Sequence, residues 1–249
     1  MRDTIKIASG QGFWGDLIDA PVHQASKGDI DYLMMDYLAE VTMSILQKQK
    51  LKNPVFGYAR DIPPLMERLL PLLKEKKFKV ITNGGGVNPL ACCDAIFEVA
   101  KKIGISGIKI GVVMGDNILD NIDALLKEGI LLKNMETGES AETIKDKILS
   151  ANVYFGALPV VEALRQGADI VITGRVTDTG LTLAPMIYEF GWDMNDFDKM
   201  SAGTIAGHII ECGGQASGGN FLGDWESVPD LARIGFPIVE AHKDGTFYI

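Results

Sequence analysis

The chain has 249 residues, 47% of them hydrophobic, enough to bury one sizeable core or two modest ones, which excludes the disordered and fibrous classes. Its 33 acidic against 24 basic side chains leave a net charge of -9, a surface that repels polyanions, so nucleic acid is not an expected partner. Apolar runs such as "YLMMDYLA" are broken by Asp well short of the roughly 20 residues of a membrane span, and "MRDTIKIASG" opens without a basic-then-apolar leader, so the expected location is the cytoplasm, with no membrane partner.

In chain order, "TIKIAS" (4–9) reads as a first strand, running into "SGQGFWGD" (9–16). Gly10, Gly12 and Gly15 there have the GxGxxG spacing of a phosphate loop, but Pro21 arrives early and argues against the helix that a dinucleotide site needs. Anion binding at Gly10 and Gly12, and a plain tight turn, both stay open. "DYLMM" (31–35) is a second strand ending at Asp36, followed by a helical pattern in "LAEVTMSILQKQ". "FKVIT" (78–82) is a third, followed by "NGGGVNP" (83–89) and a helix over "PLACCDAIFEVAKKIG", with Asn88 as N-cap, Pro89 in the first turn and Gly104 as the stop.

"GIKIGVVM" (107–114) is a fourth strand, with Asp116 and Asn117 beyond it and a helix over "NILDNIDALLKEG". The polar stretch 133–142 predicts a surface excursion before a helix from about 141 to 150. A helix over "GALPVVEALRQG" then leads to a fifth strand, "DIVIT" (169–173), and the loop "GRVTDTG". From 201 the pattern loosens into glycines, and "AHKDGTFYI" reads as an Asp-Gly hairpin reaching Ile249. That ending suggests a portion of a larger protein, or a subunit completed by a companion chain or a second copy.

The strands are apolar at consecutive positions, the pattern of strands covered on both faces, and they alternate with helices. The expected fold class is therefore α/β: a mainly parallel sheet with helices on both faces in Rossmann-like layers, with a (β/α) barrel-like arrangement as the alternative. Residues 1–249 are expected to form a single domain, with 200–249 as a looser segment. Cys92, Cys93 and Cys212 are an odd number without zinc spacing, which predicts free thiols, at least one of the adjacent pair being buried in its helix.

Ligands of open α/β sheets lie beyond the carboxyl ends of the strands, which directs attention to the loops there. Asn83, Gly84, Gly85, Gly86 and Asn88 offer a backbone surface for an anion, in competition with a turn crowded by a neighbouring element. Asp116 and Asn117 join them as binding candidates. Arg175 provides a fork for a carboxylate or phosphate, or else pairs with Asp178 to shape the loop. In "TIAGHIIECGGQASGG" (204–219), Thr204, His208 and Glu211 share a helix face, and an imidazole, which ordinarily titrates near ~6.5, suits acid-base work. Cys212 follows at the helix's C-terminal end, the wrong end for a stabilised thiolate. His208, Glu211 and Asp178 are thus the catalytic candidates. Metal binding by His208 and Glu211 stays open, but two ligands without a clear third are too few to assign, so no metal ligand is named.

The segments "DYLMMDYLAEVTM", "VITNGGGVNPLAC", "VVMGDN", "ANVYFGALPVVEALRQGADIVITGRVTDTGL", "SAGTIAGHIIECGGQASGG" and "VPDLARIGFPIVE" together resemble the acyclic terpene utilisation protein A (AtuA) family, in order and over nearly the whole chain. The resemblance implies a place in catabolism of acyclic terpenes such as citronellol, a route through acyl-CoA thioesters, and a small companion protein. The residues carry no convincing redox or nucleotide-hydrolysis motif. The leading expectation is an enzyme or enzyme subunit performing hydratase or dehydratase chemistry on a branched or unsaturated acid or its CoA thioester, with coenzyme A entering as part of the substrate and no further cofactor. A non-catalytic scaffold subunit and a CoA transferase or ligase are the competing readings.

Overall fold

A computed structural model describes residues 2–249. The five apolar runs form strands β1 (Thr4–Gln11), β2 (Tyr32–Met35), β3 (Lys79–Thr82), β4 (Ile110–Val113) and β5 (Ile170–Thr173), and the terminal hairpin contributes β6 (Ile238–His242) and β7 (Phe247–Tyr248). They make one seven-stranded sheet in the order β4-β5-β3-β2-β1-β6-β7. β1 to β5 pair in parallel, whereas β6 runs antiparallel to β1 and β7 antiparallel to β6.

Side-chain alternation divides the consecutive apolar residues between two cores. Ile5, Ile7, Tyr32, Met34, Ile81 and Val171 face one way, where they meet helices α6 (Leu158–Arg165), α7 (Gly180–Phe190) and α8 (Phe197–Ile210). Ala8, Leu33, Met35, Val80, Ile170 and Ile172 face the other way, against α1 (Ala20–Lys27), α2 (Glu40–Lys52), α3 (Ile62–Lys76) and α4 (Pro89–Lys102). The layered α/β class expected from the sequence is therefore the one adopted. Helix α5 (Ile122–Lys127) buries only Ile122 and belongs to the outer excursion between β4 and α6.

Three local expectations are corrected. Pro21 does not prevent a helix after β1: it sits in the first turn of α1, where its missing N–H is no loss. The helix expected at 141–150 is reduced to two 3-10 turns, Ala141–Thr143 and Lys145–Lys147, because the stretch has no buried face to extend a nucleated turn. Asn88 stands at the N-cap of α4, but its side chain donates instead to the carbonyls of Pro54 (2.9 Å) and Phe56 (2.8 Å), fastening a neighbouring loop.

Helices α3 and α7 are additions to the elements expected from the sequence: the buried residues of α3 keep helical spacing but are interspersed with prolines, whereas α7 lacks a polar face. α3 opens on Pro63 and Pro64 and contains Pro71, while α7 contains Pro185 and is buried almost all round, so no polar face marks its turns. The adjacent Cys92 and Cys93 are both buried on α4, and all three cysteines are free thiols. No helix is long and apolar enough to cross a membrane among the described residues.

Candidate functional site

The carboxyl ends of β2, β3 and β5 lie side by side, and the first residues past them interlock. Asp36 follows β2 and is 2% exposed. Its Oδ1 accepts from the Leu38 N–H (3.0 Å) and from Asn83 Nδ2 (2.7 Å), while Asn83, the residue after β3, accepts the Tyr37 N–H on its own Oδ1 (2.8 Å). Asp36 Oδ2 is buried without a hydrogen-bond partner among the described residues.

The loop after β5 brings Arg175 and Asp178. The Arg175 guanidinium is 4% exposed, donates from Nη1 to the Leu38 carbonyl (2.6 Å), lies 3.1 Å from Asp178 Oδ1 through Nη2, and stacks 4.2 Å above the Tyr154 ring. The mutual ion pair expected as an alternative role for Arg175 is therefore present, and the fork is largely committed to the protein, with Nε unpartnered among the described residues.

Helix α8 delivers the third acidic group. Gly203, Gly207 and Glu211 repeat at intervals of four, which puts them on one face. A Cβ on Gly207 would come within 2.8 Å of the Thr179 carbonyl, and one on Gly203 within 2.6 Å of Leu183. The bare glycine face lets α8 settle on the start of α7 and carries Glu211 toward Asp178. Past the helix, a Cβ on Gly12 would meet the Cys212 carbonyl carbon at 2.4 Å, so the end of β1 also touches this turn backbone to backbone.

As a result, ligand oxygens of Asp36, Asp178 and Glu211 all lie within 4.8 Å of one another, the one such group found among the described residues. Burial, reinforced by the Asp178 carboxylate, pushes the Asp36 carboxyl up to about 7 despite the opposing hydrogen bond from Asn83. The Cys212 thiol donates to Glu211 Oε1 (3.1 Å), and burial together with that carboxylate pushes it up to about 12, so the environment disfavours a thiolate. His208 is 77% exposed on its side chain, with Nδ1 3.6 Å from Glu211 Oε1.

Of the residues the sequence singled out, Asp178, Glu211, Arg175 and His208 come together, with Asn83 joined to them through Asp36. The glycines 84–86 lie beneath the site: added Cβ atoms would meet Ile62 at 2.3 Å, the Thr173 carbonyl at 2.6 Å and Leu46 at 2.4 Å. Gly10 likewise packs against Pro21, Leu33 and Met35. Gly12 donates its N–H to Asp16 Oδ2 (3.0 Å), and Asn117 accepts from the Leu119 N–H (3.0 Å), closing local turns. Asp116 accepts from the Arg175 N–H (2.9 Å) and Asn152 Nδ2 (2.8 Å), which props the Arg175 loop from behind. Asp36 was not among the sequence candidates, although an acid closing the apolar run "YLMM" at a strand end was a visible signal.

The family model described as "Acyclic terpene utilisation family protein AtuA" matches residues 5–249. The chain belongs to the AtuA family. No curated protein and no solved structure matches it. Membership points to a catabolic role, and within AtuA-type catabolism the three-carboxylate cluster is the feature with chemical potential.

Proposed function

We propose that this AtuA-family chain adds water to, or removes it from, a branched or unsaturated carboxylic acid or its CoA thioester, as an enzyme or as the site-bearing subunit of one. The observation that carries the reading is the convergence of Asp36, Asp178 and Glu211 at the carboxyl edge of the sheet, with His208 on its solvent side. Water addition to a conjugated double bond places hydroxyl on the β-carbon and a proton on the α-carbon. It therefore needs one group to take a proton from water and a donor to the carbon.

His208 is open to an incoming substrate, with Glu211 Oε1 3.6 Å from its Nδ1, close enough for a small rotation of the ring to bring the two into hydrogen-bond contact. Asp178 borders the same space, held by Arg175 at 3.1 Å. Electrostatic stabilisation of an enolate-like oxygen is the remaining requirement, and it calls for positive charge or N–H donors at that point. The full chain, alone and with a companion protein encoded beside it, is to be tested on unsaturated acids and their thioesters by loss of enoyl absorbance and incorporation of labelled water oxygen. Activity is expected, with His208→Ala lowering kcat about a hundredfold or more. Inactivity of the intact assembly across the panel, or full activity in His208→Ala and Glu211→Gln alike, would refute the reading.

A further inference from the structure

We infer that Asp36, Asp178 and Glu211 form a binding site for a divalent cation of the hard, oxygen-preferring class, with Mg2+ and Mn2+ as its representatives. Three carboxylates from three separate elements, the end of β2, the loop after β5 and the end of α8, offer oxygens within 4.8 Å of one another. Proximity of acids alone would not suffice. The second observation is the state of Asp36: a carboxylate 2% exposed, whose Oδ1 is held by Leu38 N–H and Asn83 Nδ2 while Oδ2 is buried with no partner. A buried carboxylate oxygen left without a donor is costly; a proton relieves it in the free protein, and a bound cation takes the proton's place.

The neighbouring charges do not close the account. Arg175 provides one positive charge, already directed to Asp178 and the Leu38 carbonyl. All three groups of the cluster present carboxylate oxygens, hard ligands that favour Mg2+ or Mn2+ over soft metals. Three protein ligands leave positions of an octahedral ion open to water or to a substrate oxygen.

That last point bears on substrate choice, and this part of the inference rests on the hydration reading. An acid or thioester approaching three carboxylates on a chain of net charge -9 is repelled unless a cation stands between them. The open positions of the ion would take the carboxylate or thioester carbonyl oxygen, and the charge needed on an enolate-like intermediate would come from the same place. The cation site itself does not depend on that reading.

The experiment is a titration of the chelator-treated full chain with Mn2+ alone, followed by calorimetry and by the electron paramagnetic resonance signal of free Mn2+, with Mg2+ as competitor. One saturable site is expected, accompanied by a rise in Tm. Glu211→Gln and Asp178→Asn, both at partly exposed positions, are expected to weaken binding about tenfold or more, and Asp36→Asn to abolish it, whereas Glu136→Gln in the remote exposed loop leaves it unchanged. Circular dichroism checks folding, and if Asp36→Asn does not fold, Glu211→Gln decides. Absence of a saturable site, or equal binding by wild type and all cluster variants, overturns the proposal. Binding is read without substrate, so failure of the hydration assay leaves it standing. Hydration at full rate in excess chelator would overturn only the substrate-holding role.

Discussion

Asp36 and Asp116 occupy matching places: each lies just beyond a parallel strand, and each is nearly sealed from solvent, at 2% and 5% exposure. Asp116 directs Oδ2 to two donors, the Arg175 N–H and Asn152 Nδ2, and its carboxylate covers Gly174 so closely that a Cβ there would lie 2.3 Å from Oδ1. Asp36 also takes both its donors on one oxygen, but its other oxygen, Oδ2, is buried without a partner among the described residues. Burial of an acid is thus no guide to its purpose. The surroundings of its oxygens are: a carboxylate whose donors come from the segments it joins is a brace, and one that leaves a buried oxygen without a partner among the described residues, beside two further acids, is available to a ligand.

The contrast can be broken by substitution. Asp116→Ala is expected to have the largest effect on stability, about 3 kcal/mol, because it strips partners from two donors that then remain in or near the interior. Urea unfolding measures it, and a loss below about 1 kcal/mol would mean that water takes over the bracing role. Gly174→Ala should follow at about 2 kcal/mol, since the methyl group must displace the Asp116 carboxylate or shift the backbone. Both variants are expected to disturb the loop bearing Arg175 and Asp178, and so to lower activity through fold. Asp36→Asn should have the smallest effect on stability, with an unfolding midpoint unchanged or raised, because it removes a buried charge facing Asp178 while keeping the shape. A loss larger than about 1 kcal/mol would place Asp36 with Asp116 as a brace.

The same contrast marks how far the sequence could be read. The strands were legible because unbroken apolar runs such as "VIT" and "IVIT" have few other uses, and Asp178 and Glu211 because each stands at a strand or helix end. The glycine run 84–86 was legible as a place of close approach, but the approaching groups, Ile62, Leu46 and the Thr173 carbonyl, come from distant parts of the chain, so a turn packed by protein and a cradle for an anion look alike in one dimension. Asp36 passed for a strand terminator because its significance depends on residues far along the chain. Its hydrogen-bond shortfall exists only in three dimensions. Helix α7 was hidden by its own burial: with nearly every side chain inside, it lacks the polar stripe that betrays a helix.

The glycine face of α8 has one more consequence. Because Gly207 brings the helix against the Thr179 backbone, the gap between Glu211 and Asp178 is gauged by hard-core contact between main chains, with no ionic or hydrogen-bonded strut among the described residues of that seam for salt or acid to loosen. The two acids are carried like jaws machined to a fixed opening, and a single methyl group at position 207 would act as a shim that sets them wider.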